Sequence, residues 1–304
     1  MKRVVHRKMP DGSFQNVQPF HVSMEGLEKT ILCRCDNDYD ALVKILCICA
    51  RRKNVLIIVY AVVSNHCHVA VLAVNQADAD AFGQEVKRMY AMWFSRQYGE
   101  QKRLQKTDVK AICLDNDWYV RNALAYILRN ALDNGCPVND YRWSAYRAMF
   151  CDECAMGTGN RQVASLTKVE RRKWMHTGDS LKDVAWRLDA GNSLIPASFC
   201  DREYLEQAFE HDQAFFLKTI GGQNASEMQW KLIEAPRKML VDSVFYKSCN
   251  EISQRWFQAE LADLSIERKT RLIPYLKRTM KTTVPQLART MGLSRDQVSA
   301  ILGL

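Results

Sequence analysis

The 304-residue chain has no apolar run long enough to cross a bilayer. Its longest, around Val55 to Val63, falls far short of the ~20 residues a spanning helix requires, so no membrane association is expected. The N-terminal stretch MKRVVHRKMPDG is basic but has no apolar h-region, and no secretion signal is expected from it. No Gly-rich phosphate loop of the Walker type occurs. Eleven cysteines are present, but they do not build a disulfide or zinc framework. Cys33 and Cys35, and Cys47 and Cys49, are i,i+2 pairs unlike a zinc knuckle. Cys151-Asp-Glu-Cys154 has no second CxxC beside it. Cys136 or His176 could complete a zinc site there, but a polar loop with two reduced thiols is the better reading.

Positive charge is abundant. Lys and Arg number 43 against 34 Asp and Glu, a net charge of +9. A basic chain favours polyanions, although basic proteins with other roles are common. A hydrophobic content of 47% fits a globular protein with a sizeable core. The length allows one large or two modest domains.

The most informative stretch is VLIIVYAVVSNHCHVAVLA, Val55 to Ala73. It is too long for one strand and is interrupted at Ser64-Asn65, which predicts two strands joined at a tight turn. Strand side chains alternate, so His66 and His68 project from one face and Cys67 from the other. Paired imidazoles can hold a divalent metal; the plain alternative is two polar residues on a solvated face. A second stretch, WYVRNALAYILRNALDNG from Trp118 to Gly135, has helical spacing. Tyr126 and Asn130 are four apart and share a face, so a phenol lies one turn from an amide oxygen that could be a third ligand. The alternative is a core tyrosine and an exposed asparagine. A cation held by two imidazoles and an amide oxygen keeps positions for a phosphate oxygen, and a nearby tyrosine could attack phosphorus. Arg121 and Arg129 flank Tyr126 and could help.

Three stretches together resemble the single-tyrosine HUH transposases, and most closely the REP-associated tyrosine transposases. AVVSNHCHVAVLA is similar to the family's sNHxH segment, ALAYILRNALDNG to its YIxxNPvraG helix, and YRWSAYRAMF, Tyr141 to Phe150, to its WSSYraY segment. The resemblance covers about residues 15 to 150. Ala131 replaces the family's proline, and KRLQKTDVKAICLDND, Lys102 to Asp117, replaces its GpLFqgRF stretch.

The resemblance implies a metal-dependent single-stranded DNA endonuclease and transposase acting near DNA hairpins. His66, His68 and Asn130 would be the metal ligands, for Mg²⁺ or Mn²⁺, and Tyr126 the nucleophile forming a 5′-phosphotyrosine. It further implies a prokaryotic, cytoplasmic, nucleoid-associated protein, with a homodimer left open. A non-catalytic DNA-binding regulator derived from such an enzyme is the alternative.

The expected fold is α+β, a ferredoxin-like antiparallel sheet with packed helices over residues 1–150. A helical linker or accessory region (151–265) and an all-α helix-turn-helix region (266–304) would follow. A strand at QPFHVSME carries His21, for which a structural role is expected. A helix spans Asp36 to Arg52, capped at Asp36 or Asn37, and another Asp78 to Tyr98. On the latter, Lys87 and Arg88 interleave with Tyr90, Trp93, Phe94 and Tyr98. Basic residues there could track a DNA backbone while aromatics stack on bases, or the aromatics could be a buried stripe. DREYLEQAFEHDQAFFLKTI reads as one helix. VPQLARTMGLSRDQVSAILGL has the rhythm of a helix-turn-helix, with Gly292 at the turn and Ser294 as cap. Arg295, Gln297 and Ser299 are its candidates for contact with duplex DNA.

Overall fold

The structure, a computed structural model, describes residues 3–25, 31–100, 108–133, 136–150, 161–221, 240–280 and 282–304. Five strands form a mixed α+β protein's antiparallel sheet: β1 (Val5–Lys8), β2 (Phe14–Glu25), β3 (Leu56–Val62), β4 (His66–Ala73) and β5 (Asp108–Cys113). The long strand β2 organises it. Its first residues pair with β1, Val17 opposite Val5. Its remainder lies between β4, with Ser23 opposite His68, and β5, with Val22 opposite Ala111. The order across the sheet is β5–β2–β4–β3. Strands β3 and β4 are rich in β-branched residues buried on both faces, as a covered central strand requires.

Three helices cover the sheet: α1 (Asp36–Arg52), α2 (Gln76–Tyr98) and α3 (Asp117–Asp133). Register settles which face each takes. Val22 and Val69 are directly opposite and share one face. A Cβ on Gly83 of α2 would come within 2.6 Å of Val109 and 3.0 Å of Val22, so α2 lies hard against that face. His68 points the other way, toward α3, which packs across β3 and β4. Helix α1 is capped at Cys35, one residue before the expected Asp36, because the Asp38 carboxylate turns back to accept from the Cys35 and Arg34 amides.

Residues 136–150 and 161–221 wrap the outer edge of β3. The Val62 amide donates to Trp143 O (2.9 Å), the Ala145 amide to Tyr60 O (2.9 Å) and the Asp201 amide to Ile57 O (2.7 Å). The exposed edge is thereby paired off. Helix α4 (Lys168–Trp174) lies in this part. The stretch expected as one helix is two, α5 (Arg202–Ala208) and α6 (Gln213–Gly221). Glu210 and His211 take positive φ values of 58° and 56°, and Asp212 restarts the chain by accepting from the Phe215 amide. The break lets Phe209 meet both Phe215 and Phe216.

Among the described residues four helices follow: α7 (Asp242–Phe257), α8 (Ile266–Thr279), α9 (Val284–Met291) and α10 (Arg295–Leu302). Between α9 and α10 the chain turns at Gly292, left-handed at φ 65°, and Ser294 caps α10. Buried apolar residues form two clusters, one from Val5 to Ile220 and one from Phe245 to Val298. Residues 163–220 belong to the first, with the sheet. The CxxC at Cys151 and Cys154 and the first part of Lys102 to Asp117, residues 102–107, lie outside the described residues. Among the described residues no helix is long and apolar enough to cross a membrane.

Gly83→Ala would stabilise an exposed helix by about 1 kcal/mol. Against Val109 and Val22 it is expected to destabilise by about 1–3 kcal/mol instead. A raised thermal midpoint in this variant would refute the close α2–sheet approach.

Candidate active site

The turn between β3 and β4 is tight, closed by the Val63 amide donating to His66 O at 2.9 Å. It starts β4 so that His66 and His68 share one face while Cys67 is buried on the other. Small residues surround His68: Ser23 opposite on β2, Ala61 opposite on β3 and Ala70 two places on. That clearance lets α3 lie close enough for its side chains to touch the imidazoles.

Each imidazole is held through its Nδ1. His68 Nδ1 is 3.0 Å from His21 Nε2, and His66 Nδ1 is 3.0 Å from Asn65 Oδ1. Each Nε2 faces α3. His66 Nε2 is 2.9 Å from Asn130 Oδ1, and His68 Nε2 is 3.4 Å from the Tyr126 hydroxyl. Asn130 is only 1% exposed. Its Nδ2 donates to Tyr126 O (2.9 Å) and Ile127 O (3.2 Å), which turns Oδ1 outward to the histidines. Tyr126 sets its ring edge-on to His68, with centroids 5.2 Å apart, and remains 44% exposed.

These groups suit a small divalent cation. Asn65 and Asn130 each present an oxygen to His66, and a neutral imidazole has one N–H. A cation between Nε2 and Asn130 Oδ1 would satisfy both of those atoms and leave the single N–H at Nδ1 for Asn65. Ligands ~2.1 Å from an octahedral ion stand about 3 Å apart, close to the observed 2.9 Å. Among the described residues no group of three or more His, Cys, Asp and Glu is arranged to hold a metal. The set here is two imidazoles and an amide, with His21 on the far nitrogen of His68. Ligating histidines commonly have that nitrogen held in this way.

Burial makes the site basic-poor. His68 is pushed down to about 2, first by burial and then by the neighbouring His66 and His21. Burial pushes His21 down to about 4. Both are neutral at pH 7 with lone pairs available.

The remaining expected residues are dispersed. Arg121 on α3 stands 3.5 Å from Glu210 and over the Phe215 ring. Arg129 is half-buried on the same helix. Lys87 and Arg88 lie on α2, across the sheet from His68, and Arg88 pairs with Glu85 at 2.7 Å. Two of the α2 aromatics, Tyr90 and Phe94, offer no base-stacking surface. Tyr90 and Phe94 are buried, with the Tyr90 hydroxyl on Leu32 O and the Tyr98 hydroxyl on Asp38, because α1 packs over them. At the far end of the chain Arg295 is exposed and Ser299 half-buried. Gln297 Oε1 accepts from the Ser294 amide in a capping box, so its oxygen is committed to the helix. Asn65 was read from sequence only as part of the turn; its position beside His66 is the only signal of a part in the site. His21 is a support for His68, and its signal is an odd position on β2, in phase with Ser23.

No protein-family model and no curated protein matches the sequence. Among solved structures, one with a partial structural likeness is that of a REP-associated tyrosine transposase bound to a REP hairpin. It is 14% identical, covers 48% of this chain and 81% of its own, and has a TM-score of 0.35. At that score it lends no weight to any residue, and the site stands on its own geometry.

Because His21 is neutral in the fold and takes a proton near pH 6.5 when unfolded, acid favours unfolding. Its contribution is lost as pH falls from about 6.5 toward 4. With chelator present, wild type is expected to lose on the order of 2–3 kcal/mol more than His21→Gln between pH 7 and pH 4. Urea unfolding at several pH values measures this, and parallel curves would contradict a buried neutral His21.

Proposed function

We propose that the protein is a divalent-metal-dependent endonuclease and transposase acting on single-stranded DNA near hairpins, with Tyr126 as its covalent nucleophile. The carrying observation is the convergence of His66 Nε2, His68 Nε2, Asn130 Oδ1 and the Tyr126 hydroxyl from two elements, β4 and α3. His66, His68 and Asn130 would hold Mg²⁺ or Mn²⁺. When bound, such an ion withdraws charge from a scissile phosphate and favours ionisation of a phenol that otherwise titrates near pH 10.

The chain's own groups do the rest. Tyr126 is exposed enough to meet a polymer, yet His68 and His21 brace its ring edge-on. Its oxygen forms the bond to phosphorus as the bond from phosphorus to the 3′-oxygen breaks. A 5′-phosphotyrosine and a free 3′-hydroxyl result. Attack by a 3′-hydroxyl on that linkage releases the tyrosine and reseals DNA, so no nucleotide cofactor is needed. A net charge of +9 favours the polyanionic partner.

The order β5–β2–β4–β3 over a β-α-β-β-α-β run supports a ferredoxin-like reading of the part up to residue 150. We read 151–265 as accessory and 266–304 as a helix-turn-helix region, with Arg295 and Ser299 facing duplex DNA. A cytoplasmic, nucleoid-associated location follows from this reading.

Incubation with single-stranded hairpin oligonucleotides and Mn²⁺, read by mass spectrometry, is expected to give a DNA adduct on Tyr126. Tyr126→Phe is expected to give none while binding the same DNA. His66→Ala is expected to lower adduct formation by at least about 100-fold, as loss of a metal ligand should. Cleavage at the wild-type rate by Tyr126→Phe would overturn the assignment and move attention to Tyr119.

A further inference from the structure

The turn that presents His66 is held from outside the sheet. Ser64 is fully buried, and its carbonyl accepts from the Leu32 amide (2.6 Å) and the Cys33 amide (2.9 Å). Its hydroxyl donates to the Asp242 carboxylate at the start of α7. Asp242 is 3% exposed, and its other partners come from α9. Arg289 Nε donates to Oδ2 at 2.8 Å, and Gln286 Nε2 to Oδ1 at 2.9 Å. Gln286 is itself buried, fixed by Leu240 O and the Thr282 hydroxyl. Beside this network the Arg34 guanidinium pairs with Glu100 and lies between the rings of Tyr98 and Tyr246, the latter on α7. The helices of the second core are thus docked on the tip of the β3–β4 hairpin, two residues from a candidate ligand.

We propose that Asp242 and Arg289 are positioning residues for His66, acting through Ser64. A buried carboxylate is stable only when its oxygens are fully donated to. Asp242 takes one donor from the site's turn and two from α9, so the turn and α9 are parts of one hydrogen-bonded unit. Weakening the α9 side changes how firmly Ser64 is held, and with it Asn65 and His66. Whatever α9 and α10 engage therefore bears on the geometry at His66 Nε2. The proposal rests on the cation reading of the site for its consequence, but the mechanical link stands on the contacts alone.

Asp242 is best left intact, since its removal strands Gln286 and Arg289. Ser64→Ala cuts the link at the turn, Arg289→Met cuts it at α9, and Arg289→Lys retains charge and a donor. Amide hydrogen exchange at residues 63–67 and titration with Mn²⁺ read the outcome in the full chain. Ser64→Ala and Arg289→Met are expected to raise turn exchange and to weaken Mn²⁺ binding by about tenfold, the lower end for loss of a ligand's outer support. Arg289→Lys should remain near wild type. A purely local role for Arg289 would raise exchange in α8 to α10 and leave residues 63–67 unchanged. That result, or wild-type turn exchange in Ser64→Ala, overturns the proposal. Should wild type take up no Mn²⁺, the cation reading fails, and the exchange data still decide the link.

Discussion

The contact between His66 Nε2 and Asn130 Oδ1 is the constraint on which the candidate site depends. It joins a strand to a helix, and each side is fixed by its own backbone. Asn130 spends both amide hydrogens on the carbonyls of Tyr126 and Ile127. Its oxygen then has one direction left, toward β4. His66 is fixed by the tight turn and by Asn65. A burial this complete of an amide oxygen against an imidazole is stable only with a hydrogen or a cation between them. Tyr126 follows from the same geometry, because it lies one helical turn before Asn130 on the face that meets His68.

The surrounding fold serves that contact. Strand β2 brings His21 behind His68, Gly83 lets α2 close down on the opposite face, and small residues on the site face admit α3. Chain beyond the sheet is used too. Residues 143–145 and 201 pair off the edge of β3, and α7 with α9 grips Ser64. The hairpin carrying the histidines is consequently held on its edge, on both faces and at its tip. Such support is what a site needs if its ligands are to keep their places without rearrangement on binding.

Local relations were legible in the sequence. Alternation along VLIIVYAVV and SNHCHVAVLA put His66 and His68 on one face, and the i,i+4 spacing put Tyr126 with Asn130. What spacing cannot express is which faces meet. His21 supports His68 because β2 pairs with β4 in a register where His21 is opposite Ala70, two residues from His68. That register comes from long-range pairing. Tyr90 and Phe94 could be read as a stacking surface because basic residues interleave with them; both are buried, as in the alternative of a buried aromatic stripe, and the tertiary contact decides. The break at Glu210 and His211 was hidden because both residues fit a helix, and three phenylalanines pull the chain round instead. Ser64 was legible only as part of the turn; its tie to Asp242 carried no signal, since that partner lies 178 residues away.

The most direct test is pulsed electron paramagnetic resonance of Mn²⁺ titrated into protein labelled with ¹⁵N-histidine. The account predicts one Mn²⁺ per chain with two directly coupled imidazole nitrogens, and loss of one coupling in His66→Ala. Absence of saturable binding, or a bound ion without directly coupled imidazole nitrogen, would contradict it.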